Sequence, residues 1–377
     1  MNKSIYKISK YFMIIVGLWK IRLNISPTLK IIYSAYSCIL QIMYFIFNLS
    51  LIIRAVQIVL KNTGDENKFG AISLAAVIWF INFRVLIYLI YGIPKMFISV
   101  IEQENDIFNS GNQEILTMYR KQCKFYTIIS IYITLNTALA TCAFVASHVI
   151  NYSPDKNFMF ELWFPFEIEP HVYAVYKFLM SQWGILFNSA VQCGMQSLII
   201  FITSQFDILQ INIRNVFTFE RGKNVHCAVK KYIQKHQFLI KFVEDLNNSI
   251  NSIILLEFLL DSVNLAAALL QIITAQSIIE ITFSLVYFVL LLSQLFILAW
   301  SANEIYTQSF NVSNAIYESN WMDQSEPIKK TMLIMLMRAQ KPLALTIGPF
   351  RPMNMEAGLM TVKGAYTYAG VMRQKYT

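Results

Sequence analysis

Residues 172–206 read VYAVYKFLMSQWGILFNSAVQCGMQSLIIFITSQF, a run of 35 positions in which Lys177 is the only charged residue. A helix needs about 20 mostly apolar residues to cross the hydrocarbon core of a bilayer. This stretch meets that demand with more than a dozen residues to spare, so it predicts a spanning helix that continues beyond the membrane. Five further stretches qualify on the same grounds: 31–53, 69–91, 125–148, 253–273 and 278–305. A seventh, 354–372, is interrupted by Glu356 and Lys363. The composition agrees. Only 14% of the 377 residues are charged, against roughly 25% in a soluble domain, and the mean hydropathy is +0.48. The expected fold is an all-α membrane protein of seven transmembrane helices, forming one domain over residues 1–377.

Orientation follows from the basic residues of the connecting segments. The N-terminal segment, 1–30, and the second, fourth and sixth loops together hold 21 lysines and arginines, whereas the segments on the other side hold six. The N-terminus is therefore expected in the cytoplasm and the C-terminus outside. The net charge of +9 is accounted for by this asymmetry, and the basic residues form no single patch of the kind a nucleic-acid binder carries. An internal N-terminus is also the reverse of a G-protein-coupled receptor. The five cysteines are odd in number and scattered, which excludes a disulfide scaffold.

The loops carry structure of their own. The third, 149–171, is acidic and holds Pro154, Pro165, Pro170 and a cluster of aromatics, so it is expected to fold over the outer helix ends. Asn151 opens the one glycosylation sequon placed in an external loop, although Pro154 follows directly. Apolar residues at Val229, Ile233, Ile240, Val243 and Leu246 recur near helical spacing, so helices four and five should extend into the cytoplasm and pack there. Pro327 suits a first helical turn and Pro342 ends the run that follows. Gly348, Pro349 and Pro352 then forbid a continuous helix. The last helix is thus expected to be split, its membrane part starting at Asn354, a good cap, with Glu356 in the first turn. The apolar run 11–19, bounded by Lys10 and Lys20, reads as a segment lying on a surface. By function, residues 31–206 hold helices one to four, and 207–377 hold the cytoplasmic extensions with helices five to seven.

Several residues could carry function. Tyr173, Tyr176, Met180, Trp183 and Phe187 recur every three or four positions and form one face of helix four. Two readings of that face stand: helix packing, since aromatic stripes are common in cores, or the wall of a pocket for an apolar small molecule. Thr141, Phe144 and His148 share a face of helix three. Ala75, Ile78 and Trp79 on helix two, with Phe283 and Tyr287 on helix six, would complete a cage. Glu257 and Asp261 lie one turn apart on helix five. An uncompensated Lys363 in helix seven would cost about 2.5–3.5 kcal/mol in the membrane, so it is expected to pair with one of these carboxylates or with a neighbouring subunit. Arg84 is expected to make a similar pair. The histidines and cysteines show no metal-binding spacing, no phosphate loop or nucleophile motif occurs, and neither a cofactor nor an enzymatic activity is expected.

Certain motifs resemble those of a known family. Gly17-Leu18-Trp19, the stretch Trp163-Phe164-Pro165-Phe166 with Gln182, and His236-Gln237 are similar to segments of the insect odorant receptors. Most specific is the C-terminal region: Arg338-Ala339-Gln340-Lys341-Pro342-Leu343, then Phe350 to Met355, then Lys363-Gly364-Ala365-Tyr366-Thr367-Tyr368. Thr367-Tyr368 with Gln374 also resembles the ending of the related gustatory receptors. The resemblance implies a subunit of a tetrameric, non-selective cation channel in the plasma membrane of an olfactory neuron dendrite. It would be opened directly by a small apolar volatile, without a G protein. A ligand pocket would occupy the outer half of helices two, three, four and six. A central pore would be lined by helix seven, with Tyr368, Val371 and Met372 near an apolar constriction and Gln374 in a polar ring. The chain is shorter than the odorant co-receptor and lacks its long intracellular insertion, so it resembles a tuning subunit that assembles with that co-receptor. A gustatory channel subunit and a secondary transporter are the alternatives, the latter without visible inverted repeats.

Overall fold

The computed structural model of the chain describes residues 4–19, 21, 26–60, 79–150, 162–166, 168–219, 223–274 and 278–376. Its helices are α1 (Lys7–Ile15), α2 (Pro27–Leu60), α3 (Trp79–Ile90), α4 (Ile93–Asn109), α5 (Gln113–Ile150), α6 (Pro170–Phe219), α7 (Lys223–Thr274), α8 (Ile278–Glu318), α9 (Glu326–Ala339) and α10 (Met355–Tyr376). The seven expected spans fall on α2, α3, α5, α6, α7, α8 and α10, although the first part of the second lies outside the described residues. Four of the described helices are long and apolar enough to cross a membrane by themselves, and α3 with α4 makes a fifth if the bent pair counts as one. The only strands among the described residues are β1 (Thr346–Ile347) and β2 (Arg351–Pro352), a two-residue antiparallel ribbon.

Helix α6 runs 50 residues without a break from Pro170, whose missing N–H suits a first turn. At 1.5 Å per residue it is about 75 Å long, more than twice the hydrocarbon thickness of about 30 Å. It packs against α1, α2, α5, α7 and α8, and is the central helix of the bundle. Helix α7 is 52 residues long and α8 is 41, so both extend well past their apolar stretches. In the extension of α7, Val229, Val243 and Leu246 are buried as their spacing predicts. Between α3 and α4 the chain bends by 57°. Gly92 there takes φ +65°, a left-handed conformation that costs glycine little, and Pro94 sits in the first turn of the helix that follows.

The split of the last helix has a clear local cause. Helix α9 ends before Pro342, and the ribbon of β1 and β2 separates it from α10. Gly348, at φ +53°, turns the ribbon, and a Cβ there would lie 2.9 Å from Leu255 Cδ2. Its N–H donates to Asn251 O at 3.1 Å, and the Thr346 N–H donates to Asn247 Oδ1 at 2.7 Å. The entry to α10 is therefore pinned to α7 at three places. Asn354 then caps α10, its Oδ1 accepting the Ala357 N–H at 2.9 Å.

The run 11–19 is a correction. It was expected to lie on a surface, and Tyr11 and Ile15 are indeed exposed. The other face of this segment is keyed into the bundle. Met13, Val16, Leu18 and Trp19 are buried, and Trp19 stands between Tyr6 and Phe97, at ring distances of 6.3 and 5.3 Å. Gly17, at φ +77°, brings its backbone so close to Ser37 that a Cβ would overlap it at 2.8 Å. The Ser37 hydroxyl then donates to Gly17 O at 2.7 Å. A further lock lies below: Glu104, buried on α4, accepts hydrogen bonds from the Ile5 N–H at 2.8 Å and the Tyr119 hydroxyl at 2.6 Å.

Candidate functional site

The aromatic face of α6 meets α2 and the loop that precedes α6. Phe187 is buried, with its ring 4.9 Å from Tyr44. Tyr176 packs edge-on against Phe47 at 6.1 Å and Phe164 at 5.7 Å. Tyr44 can come this near because residue 184 is glycine; a Cβ there would lie 2.9 Å from its hydroxyl. Tyr173 accepts the Leu162 N–H at 2.7 Å and lies beneath the Lys177 ammonium at 4.5 Å. Met180 is buried and Trp183 half-buried on the same helix. Tyr176 and Phe187 thus make ring contacts with α2 and with the loop before α6.

The rest of the expected cage is described only in part. Trp79 is partly exposed on α3, 6.2 Å from Phe45, and Tyr287 is half-buried on α8. Thr141, Phe144 and His148 lie on α5 and Phe283 on α8, but their side chains are outside the described part, as are residues Ala75, Ile78 and Asn151 altogether.

One turn below Phe187 the bundle interior becomes polar. Arg84 on α3 donates through Nη1 to Asn188 Oδ1 on α6 at 3.2 Å. Its Nη2 lies 3.5 Å from Glu257 Oε2 on α7. Gln192 on α6 donates to Glu257 Oε1 at 2.9 Å. All three of Arg84, Gln192 and Glu257 are buried, with Asp261 buried one turn further along α7. The expected intrachain pair of Lys363 with a helix-five carboxylate is corrected here. Arg84 is the cation that meets Glu257, and Lys363 stands on an exposed face of α10. The physical reason is burial: a carboxylate inside the bundle needs a partner inside the bundle, and α10 turns Lys363 away from it.

This cluster opens a longer line of polar residues that sequence reasoning missed. Along α6, Gln196 donates to Ser301 on α8, Asp207 accepts from Gln122 on α5 at 3.2 Å, and Gln210 donates to Gln308 on α8 at 3.0 Å. At the far end Arg214 meets Glu318, with both side chains partly in solvent. Asp207 also borders a small hollow of about 50 Å³ between α5, α6 and α8, lined among others by Thr203, Trp300 and Glu304. The signal was present in the sequence. Asn188, Gln192 and Gln196 stand four apart within an apolar run, hence on one helix face.

Helix α10 offers the opposite surface. Its buried positions are small: Ala357, Gly358, Ala365 and Ala369. They let it lie close against α7 and α8, and a Cβ on Gly358 would come within 3.3 Å of Phe296 on α8. Tyr366, Tyr368 and Val371 are 73%, 54% and 63% exposed and form the uncovered side. Met372 and Gln374 continue the helix, with side chains outside the described part. No group of three or more histidines, cysteines or carboxylates arranged for a metal ion occurs among the described residues.

The family described as "7tm Odorant receptor" matches residues 69–366. Odorant receptor 10 of Aedes albopictus is 32% identical over 182 residues, covering 46% of this chain and 48% of that protein. Odorant receptor Or2 of Anopheles gambiae is 32% identical over 150 residues, 40% of each chain. The chain thus aligns with half or less of the length of these relatives. Odorant receptor 67c of Drosophila melanogaster is 21% identical over 295 residues, 75% of this chain and 70% of that one. Among solved structures, the olfactory receptor OR5 of the insect Machilis hrabei in complex with eugenol superposes with a TM-score of 0.80 at 16% identity, over 98% of this chain and 97% of that one. That likeness extends to the whole fold.

Proposed function

The chain belongs to the 7tm odorant receptor family, and from that premise we propose that it is a subunit of an odorant-gated, non-selective cation channel of the plasma membrane. The observation that carries this reading is α10. It is a well-capped helix of membrane length that buries one face of small residues and leaves Tyr366, Tyr368 and Val371 uncovered. Such a helix suits assembly with copies or with a co-receptor around a tetramer axis, the uncovered side facing a shared conduction path. Val371 and Met372 then supply an apolar ring that gates by dewetting, with Gln374 as a polar ring beyond it. The excess of basic residues on one side supports a cytoplasmic N-terminus and an external C-terminus.

The ligand is a small apolar volatile, held in the outer half of the bundle between α3, α5, α6 and α8. The solved structure of the Machilis hrabei receptor OR5 is a complex with eugenol, a small molecule, and the expected cage residues of this chain are largely apolar or aromatic. Binding opens the pore only through a higher affinity for the open arrangement than for the closed one. No G protein is required.

Recording from cells that express this chain, alone and with the odorant co-receptor, tests the proposal. A panel of volatile esters, alcohols and phenols is applied by fast perfusion. A cation current that survives G-protein blockade is expected. A response that vanishes with the blocker would overturn direct gating.

A further inference from the structure

Inside the bundle, α3, α6 and α7 meet around a cluster of buried polar atoms that are only partly paired. Arg84 Nη2 and Glu257 Oε2 face each other at 3.5 Å, too far apart for a good hydrogen bond. Both atoms, with Arg84 Nε and Gln192 Oε1, are fully buried and lack a hydrogen-bond partner. Donors and acceptors are therefore left over together, on residues whose remaining atoms are well bonded: Nη1 to Asn188, Oε1 to Gln192. Buried polar groups in native proteins are satisfied by the protein or by ordered water. The leftover Nε and Nη2 of Arg84 and Oε2 of Glu257 are the atoms a closer pair between the two residues would use.

We propose that Arg84, Gln192 and Glu257 form a buried charged clasp that couples the ligand-sensing part of the bundle to the pore helix. This rests on the channel reading above and deepens it, because it says how occupancy reaches α10. The two ends of the connection are already described. On one side α6 carries Gln192 five residues after Phe187, on the helix that forms one expected wall of the pocket. On the other, α7 carries Glu257 about 9 Å along its axis from Asn251, which holds Gly348 at the entry to α10. Leu255 packs beneath the same glycine, and Asn247 holds Thr346. A displacement of α7 at Glu257 is thus a displacement of the α10 entry.

The clasp also has two natural arrangements, which a coupling element requires. Nη2 and Oε2 stand 3.5 Å apart in the arrangement seen here, and a small shift of α3 or α7 would close the free Nε and Nη2 onto the carboxylate as a direct bidentate pair. Asp261, buried one turn further along α7, shares the electrostatic field of Glu257 and Arg84. The Arg84 guanidinium also lies 5.8 Å from the Phe80 ring centroid, which supports the cation in either state.

The test compares full-length wild type with two variants in cells that also express the co-receptor. Arg84→Met/Glu257→Met replaces the pair by apolar side chains of similar length, a change buried ion pairs often tolerate. Glu257→Gln keeps the shape and a hydrogen bond for Gln192 but removes the charge. Surface amount is measured by biotinylation, and current by application of the panel odorant that is most effective on wild type. Allosteric couplings are commonly worth 5–150-fold, so both variants should reach the surface yet need at least about fivefold more odorant for half-activation. Unchanged half-activation and maximal current in the Met/Met variant would overturn the clasp, and so would retention of both variants inside the cell, which would assign the cluster to folding alone. A silent wild type at the surface would instead remove the channel reading beneath it, so the two failures are told apart.

Discussion

Helices α6 and α10 both carry polar residues within sequence fit for a membrane, and they resolve that polarity in opposite directions. Helix α6 is enclosed: from Ala190 to Phe206 every side chain is buried. Its polar residues are answered from four other helices, by Arg84 and Glu257 above and by Ser301, Gln122 and Gln308 below. Helix α10 keeps only alanines and a glycine inward and sets Lys363, Tyr366 and Thr367 outward. The difference teaches how to read a polar residue in a span. Within α6 it specifies which helices meet and in what register. On α10 it awaits something outside the chain, which under the proposed function is a neighbouring subunit or the water of a conduction path.

The largest expected effect comes from breaking the enclosed side of this contrast. Phe187→Ala removes a buried ring packed at a tilt against Tyr44 and should cost about 3–5 kcal/mol, seen as a lowered thermal midpoint of the protein in detergent. Tyr366→Ala, on the uncovered side of α10, should shift the stability of the chain by about 0.5 kcal/mol or less. Equal losses in the two variants would erase the contrast. The Tyr366 variant remains informative in that assay, since a change confined to oligomer size would sharpen it.

Much of this was legible in the sequence, for local reasons. Span length, the glycine and prolines that split the last helix, and the Asn354 cap are decided within a few residues of chain. The amphipathic extension of α7 was legible from its period. Partner choice across the bundle was not. Glu257 and Asp261 on one face announce that a cation is needed, but the rotation of α3 and α10 decides between Arg84 and Lys363, and no local pattern fixes rotation. The same limit hides the neighbours of the face of Tyr176 and Phe187, because nothing in α6 alone says that Tyr44 and Phe47 of α2 meet it. Trp19 was missed differently: its burial depends on the backbone contact of Gly17 with Ser37, two segments that are not adjacent in sequence.

A smaller effect separates the membrane part of α7 from its extension. His236 lies on α7 outside the apolar stretch 253–273 and is buried. Burial, and then the charge of Arg338 on α9, hold its imidazole down at about 4 from the ordinary 6.5. The folded protein thus takes up this proton less readily than the unfolded chain. Its contribution to stability is whole above pH 6.5 and is lost progressively as pH falls from 6.5 toward 4. The thermal midpoint of wild type should therefore drop more steeply across that window than that of His236→Gln. Parallel pH profiles for the two proteins would remove His236 from the account.

The central claim is that the uncovered side of α10 faces the conduction path at its external end. A cysteine at Val371 tests it directly, using a charged, membrane-impermeant thiol reagent applied from outside while odorant holds the channel open. The account predicts that Val371→Cys channels lose most of their current within the exposure, whereas wild type, with its own five cysteines, keeps it. Labelling of the introduced cysteine without any change in current would place α10 away from the path and contradict the claim.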